Sequence, residues 1–435
     1  MLKDTFCSSP WIHLRIRYDG SFRVCRWSKD SNTDYKIQTH SLQEFYNSTY
    51  MRNLRMSLLD GVKSKGCSSC YYEDSFNKLS GRKRQLLKSA VDFDQFDLSM
   101  RASHHYEMWK HSYTNDGYSN YQPVDLQIDL GNICNSACIM CGPEASSRLE
   151  VEHTKLNQIS PELFEKPRRY TSWTRDPAAV DKFVNELVSL DRLGYIHFLG
   201  GETLYDPAFY SICDRLIDAG LAPNIIVGTT TNGTIYDSRI ERYIREFKEF
   251  HLGISIETVT HLNDYVRWPS KISNVLTNIN KFCDLRDSTN LFISMRITPN
   301  IFTIYELDSM IEFLLEKQII AESCNILQNP KMLRMELMPD DIRKECILKF
   351  SRVIDKHNLI KSNIANIRSS NNIQATIGDV ANDYLSFLKS YVVPEDADLH
   401  RNNLVGYLKA FERLHQNRIT DYAPRFADFL RHHGY

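Results

Sequence analysis

Three cysteines stand at a CxxxCxxC spacing in Asn132-Ile133-Cys134-Asn135-Ser136-Ala137-Cys138-Ile139-Met140-Cys141-Gly142-Pro143. Thiolates at these intervals can hold one face of an iron-sulfur cube and leave the fourth iron open, a position where a small molecule can be ligated and reduced. A closed structural zinc site would need a fourth protein ligand and usually draws on paired thiols or histidines. A second set, Cys7, Cys25, Cys67 and Cys70, supplies four thiolates. Four can close a zinc tetrahedron or ligate a 4Fe-4S cluster fully, and generic spacing does not choose between the two. Two more polar groups follow apolar runs: Gly200-Gly201-Glu202 after residues 195–199, and Thr230-Thr231-Asn232-Gly233-Thr234 after 224–229.

Strands and helices must position these groups. Strand-like runs at 124–130, 195–199, 224–229, 251–257, 291–298 and 324–327 alternate with helical patterns, the signature of a parallel barrel or doubly wound sheet. The cysteine loop and the Gly-Gly-Glu loop both fall at strand ends, where barrel enzymes keep their chemistry. Ser255 and Glu257 share one side of the alternating fourth strand. In the first hundred residues, Trp11 to Arg17 and Ser21 to Val24 flank Asp19-Gly20, a tight-turn pair that makes a hairpin and brings Cys7 toward Cys25. Residues 42–59 read as one helix. The run Lys78, Arg82, Lys83, Arg84 and Lys88 reads as a solvated helix face, or as a surface for an acidic peptide or an electron donor. His104 and His105 fall in a connector without periodicity. Residues 376–435 read as helical, with a loop at 396–402. Ile342, Cys346, Phe350 and Ile354 recur every four residues and make Cys346 a small core residue. Cys213 and Cys283 sit in helical patterns, and Cys324 begins a strand, at the end away from the chemistry.

At 435 residues the chain exceeds the usual single-domain range, and 42% hydrophobic with 25% charged residues fits a globular protein with a large core. Lysine plus arginine (53) nearly balances aspartate plus glutamate (54), so no global charge directs the chain to nucleic acid or a membrane surface. No run approaches a membrane span and the first residues carry no apolar signal region, which makes cytoplasmic the expected location. Eleven cysteines without such a signal argue for metal ligation rather than a disulfide framework.

The cysteine loop behind its apolar strand resembles that of the radical S-adenosylmethionine (SAM) enzymes. The resemblance implies a partial (β/α)6 TIM-like barrel and an open iron that chelates SAM. It further implies one-electron cleavage of SAM to a 5'-deoxyadenosyl radical, which abstracts hydrogen from a substrate. On this reading Cys134, Cys138 and Cys141 ligate a 4Fe-4S cluster, and Gly200, Gly201 and Glu202 form the loop that receives SAM's amine. Ser255 and Glu257 match positions that meet its ribose or carboxylate, Arg267 matches a SAM-contacting arginine, and Asn232 joins the expected cofactor-binding set. Cys7 through Gly20 to Cys25 looks like the opening of the auxiliary-cluster module called SPASM or twitch, which implies a second 4Fe-4S cluster at Cys7, Cys25, Cys67 and Cys70. The expected organisation is therefore an N-terminal iron-sulfur module over 1–98, the barrel over 99–340 and a C-terminal helical cap over 341–435. This order looks most like enzymes that modify ribosomally made peptides, among them the proteusin-type epimerases. The partners implied are a precursor peptide and a flavodoxin or ferredoxin-type electron donor. Epimerisation needs a hydrogen donor, for which Cys346 is the candidate. Peptide cross-linking, radical modification of a small molecule or tRNA, and an iron-sulfur electron carrier are the alternatives.

Overall fold

A computed structural model describes residues 5–29, 34–75, 80–85, 107–321, 324–360, 368–369, 372–373 and 376–435. The chain folds as mixed α/β around an eight-stranded sheet of order β2-β1-β3-β4-β5-β6-β7-β8. The strands are β1 His13–Ile16, β2 Phe22–Arg23, β3 Asp125–Asp129, β4 Tyr195–Leu199, β5 Ile226–Thr231, β6 Glu249–Ser255, β7 Leu291–Arg296 and β8 Ile320–Ala321. From β3 to β8 every neighbouring pair is parallel, with helices between, as in a partial TIM-like barrel. Leu126, Ile128, Ile196, Phe198, Val227, Leu252 and Ile254 are fully buried. Alternate positions on the other face are polar: the Tyr195 hydroxyl meets His197 Nδ1 at 3.2 Å and His251 meets Glu249 at 2.9 Å. The crossover helices start where the sequence supplies a cap. Asp176, Asp206 and Asp237 each accept a backbone N–H at an N-cap, and Pro177 and Pro207 follow at the first helical position.

The N-terminal hairpin is built into the same sheet. Gly20 turns it at φ +80°, a value that glycine adopts freely, and Asp19 Oδ1 accepts the N–H and hydroxyl of Ser21. β1 then pairs parallel with β3, Leu14 against Leu126 and Ile16 against Ile128. Arg55, fully buried, pins the hairpin's approach: it donates to the carbonyls of Pro10 (2.9 Å) and Gly117 (3.0 Å) and lies 4.3 Å over the Tyr46 ring. The domain boundary expected near 98 lies outside the described residues, as do Lys78, Lys88, His104 and His105. Arg82 of that basic run turns inward, donating to Asp74 Oδ2 at 3.0 and 2.5 Å and to the Phe6 carbonyl at 3.0 Å.

Three local expectations are corrected. Residues 42–59 form two helices, Leu42–Tyr46 and Thr49–Asp60, because the Ser48 hydroxyl caps the Met51 N–H and restarts the spiral. The last strand is Ile320–Ala321 and not 324–327: Gln318, in the left-handed conformation at φ 52°, ends helix Leu307–Lys317 and delivers the chain straight into the sheet. Cys324 therefore follows the C-terminal end of β8, the end that carries the chemistry. The loop expected at 396–402 is instead the first part of helix Ala397–His415.

Candidate functional site

The cysteine loop leaves β3 and is fastened on three sides. Toward β4, Gly201 N–H donates to the Gly131 carbonyl (2.7 Å) and Glu202 N–H to that of Ile133 (2.8 Å). A Cβ on Gly201 would lie 2.6 Å from the Ile133 oxygen and 2.8 Å from Asn132, and one on Gly200 would lie 3.1 Å from the Gly131 oxygen. These glycines thus admit the cysteine loop's own backbone, a close approach that sequence alone assigns to a ligand. Toward β5, Asn232 Nδ2 donates to Asn135 Oδ1 (2.8 Å) and Ser136 Oγ (3.1 Å). Toward the segment after β6, Ala137 N–H donates to the Trp268 carbonyl and Ile139 N–H to that of Val266, so Arg267 is gripped between them. Ser146 and Ser147 close the loop from below, with Ser147 Oγ accepting the Cys134 N–H at 3.1 Å.

Cys134, Cys138 and Cys141 carry free thiols, and all three feel the positive charge of Arg267. Burial pushes the Cys134 thiol up to about 12, against the Ser136 N–H that donates to it at 3.4 Å. Cys138 and Cys141 share a hydrogen bond that raises the first and lowers the second. Buried thiols of this kind ionise when a metal supplies the compensating charge. Among the described residues no three His, Cys, Asp or Glu side chains close on one point as ligands of a single ion would. Three thiols carried by one loop beside the buried Arg267 cation fit the donor set of an iron-sulfur cube.

Glu202, 1% exposed, accepts from Thr231 Oγ1 (2.6 Å), Asn232 N–H (2.5 Å) and Leu204 N–H (3.1 Å). Burial nonetheless pushes its carboxyl up to about 7, and an ammonium group placed beside it would lower that value. Such a carboxylate fits the amine of an amino acid moiety.

Of the other expected cofactor contacts, Ser255 is half-buried at the end of β6, in register with Arg296. Glu257, fully buried, is ion-paired through both oxygens to Arg267, Nη2 to Oε1 at 2.7 Å. Burial works against the Arg267 charge, and Glu257 with the Cys138 and Cys141 thiols outweighs it. Helix Ala397–His415 buttresses the site: the Tyr407 hydroxyl donates to the Ile139 carbonyl at 2.7 Å, and His415 stacks on Trp268 with ring centres 5.0 Å apart. In the sequence Tyr407 shows only as part of an apolar stripe, and His415 carries no signal.

The second cysteine set also converges. Burial and then Cys7 and Cys67 push Cys25 up to about 12. Burial raises Cys7 and Cys70 as well, and Cys70 feels Cys7. Arg15 of β1 lies within reach of both Cys25 and Asp129, the latter at 3.8 Å at the end of β3. Cys346 is placed apart from both sets, fully buried in helix Asp340–Lys356 beside Lys349 and Asp308, where burial pushes it up to about 12.

Residues 128–307 match the family model described as the radical SAM superfamily. That stretch runs from the end of β3 through β7 and takes in the cysteine loop and the Gly-Gly-Glu loop. No curated protein matches the chain in sequence. Among solved structures, SuiB of Streptococcus suis is 12% identical, aligned over 82% of this chain and 70% of its own, with a TM-score of 0.36. The protein anSMEcpe with bound AdoMet is 14% identical over 55% and 62%, at 0.38, and TYW1 with a lysine-pyruvate adduct is 13% identical over 56% and 75%, at 0.29. A likeness this slight fixes neither substrate nor reaction. No helix among the described residues is long and apolar enough to cross a membrane.

Proposed function

We propose that this chain cleaves SAM reductively to a 5'-deoxyadenosyl radical and abstracts hydrogen from a residue of a ribosomally made peptide, an α-hydrogen on the way to epimerisation. One observation carries the reading: the three-cysteine loop and the buried Glu202, whose backbone N–H donates to the Ile133 carbonyl, meet within the stretch that matches the radical SAM model. A 4Fe-4S cluster on Cys134, Cys138 and Cys141 would supply an open iron and one electron. Glu202 would receive SAM's ammonium, with Thr231, Asn232 and Leu204 fixing the carboxylate's orientation. Arg267, held by Glu257, would keep positive charge beside the thiolates. Cys7, Cys25, Cys67 and Cys70 would hold the auxiliary cluster.

For the return of hydrogen, Cys324 is better placed than Cys346. It follows the C-terminal end of β8 and shares a hydrogen bond with Tyr384, a side chain that also feels Glu257. The S–H hydrogen would pass to the substrate carbon radical, forming C–H and leaving a thiyl that one electron from the flavodoxin or ferredoxin-type donor and one proton from solvent would restore before the next turnover. The convergence of four thiols at the N-terminal set favours cross-linking as a second reading, since that reaction removes a second electron from the substrate. Anaerobic reconstitution with iron and sulfide, then dithionite and SAM, tests the core of the proposal. 5'-Deoxyadenosine from the wild type and none from the Cys134, Cys138, Cys141 triple-alanine variant is the expected result. A cluster-loaded wild type that forms none, with candidate peptides present, overturns it.

A further inference from the structure

An open cavity of about 610 Å³ reaches the cysteine loop, with Cys134 and Asn135 among its lining residues. Arg148, Arg169 and Arg175 line it against one carboxylate, Glu150. The chain as a whole carries a net charge of -1, so this basic concentration is local. Two large apolar side chains complete the lining and stand out into solvent, Val151 at 73% and Tyr205 at 50% exposed. Arg169 is exposed. Arg148 is ion-paired to Glu152 at 3.4 Å, and Arg175 reaches Glu150 at 3.8 Å and the cysteine loop itself at Asn132 Oδ1, 3.1 Å.

We infer that this face is the docking surface for an acidic one-electron carrier protein. The inference rests on the SAM-cleaving reading above, because that reaction draws its electron from outside the chain. Electron tunnelling falls off steeply with distance, so a carrier must dock close to a cluster cysteine, and Cys134, half-buried, lines this cavity. Exposed arginines around an apolar pair suit a partner whose redox group sits within a ring of carboxylates: charge steers the encounter, and Val151 and Tyr205 give the contact an apolar centre. One electron leaves the carrier, which is oxidised by one unit, and arrives at the site behind Cys134, which is reduced by one. No bond or proton crosses the contact.

The test uses the reconstituted full-length chain and the double variant Arg148→Glu, Arg169→Glu, neither residue being part of the SAM site. Binding of an acidic flavodoxin to each is measured by fluorescence anisotropy at low and high salt. 5'-Deoxyadenosine formation is then followed with reduced flavodoxin and, separately, with dithionite, which needs no docking. The expected result is association weakened about tenfold or more at low salt, converging with wild type at high salt, with a parallel loss of the flavodoxin-driven rate. The dithionite-driven rate stays at the wild-type level. Unchanged flavodoxin binding overturns the inference. So does an equal loss with dithionite, or a loss confined to peptide turnover, which would make the face a peptide's. A wild type inactive with dithionite defeats the SAM-cleaving reading instead, and the binding arm still reports on the surface.

Discussion

Replacing Gly201 by alanine isolates the contact that joins the Gly-Gly-Glu loop to the cysteine loop. The added Cβ would lie 2.6 Å from the Ile133 oxygen, and real Cβ contacts essentially never fall below 3.0 Å. Backbone must therefore part by about 0.4 Å (3.0 minus 2.6), with no flexible side chain to give way. That separation strains two hydrogen bonds, Gly201 N–H to Gly131 and Glu202 N–H to Ile133. Overpacking costs about 1–3 kcal/mol, and two weakened backbone bonds add about 1 kcal/mol each at most, for a loss of about 3 kcal/mol. Gly200→Ala is the control, its nearest contact being 3.1 Å. Neither glycine has a positive φ. The smaller entropy of the unfolded alanine chain, about 0.4–1 kcal/mol, nearly offsets the tight contact at 200. Urea denaturation of the metal-free proteins measures the difference, and iron retained per chain after reconstitution measures its consequence for the site. If Gly201→Ala unfolds within about 0.5 kcal/mol of Gly200→Ala, a spread typical of neutral substitutions, the close approach is not a constraint and the reasoning fails.

Three other outcomes are expected. Burial pushes Asp206 up to about 6 from 3.8, so its contribution to stability is fully present below pH 3.8 and is lost as pH rises through 6. Asp206→Asn, which keeps an acceptor for the Ala208 N–H, should gain up to about 3 kcal/mol on the wild type across that window, and parallel stability curves would count against the burial argument. Glu257→Gln leaves the Arg267 charge buried and should cost about 3–5 kcal/mol in urea, whereas Glu257→Leu with Arg267→Met should cost less; a double variant worse than the single one would contradict this. Tyr407→Phe leaves the Ile139 carbonyl without its 2.7 Å partner and should cost about 1–3 kcal/mol, with faster iron loss to a chelator. Equal chelation rates would mean that the C-terminal helix does not brace the loop.

The barrel was legible because its signals are local. The apolar runs at 195–199 and 224–229 are written in short windows, and both cysteine sets announce themselves by residue type. What stayed hidden depends on chain reversals. Nothing in the sequence says that Glu257 will turn back onto Arg267, and the pair appears only in space. The helix stop at Gln318 lacks the usual glycine signal, which shifted the last strand and put Cys324 at the wrong end of the sheet. Gly201 reads as freedom for a ligand, while in space it is room for the carbonyl of Ile133. Tyr407 reaches its partner across 268 residues of chain, a span over which no periodicity speaks.

The parallel pairing of β1 with β3 also bears on how the chain is made. His13 finds Asp125, and Ile16 finds Ile128, only after the whole intervening segment has been synthesised, and closing so long a loop before any contact rewards it is slow. During translation Cys7 and Cys25 emerge early, yet the sheet edge that seats their hairpin does not exist until β3 is out and held by β4. The first thiols made thus wait for β3 and β4 before they reach their place, and for that interval they are open to oxidation or to stray metal. Seating of the Cys7 and Cys25 hairpin should accordingly follow the pairing of β3 with β4, so the N-terminal set takes shape only after the strand that carries the cysteine loop is in place.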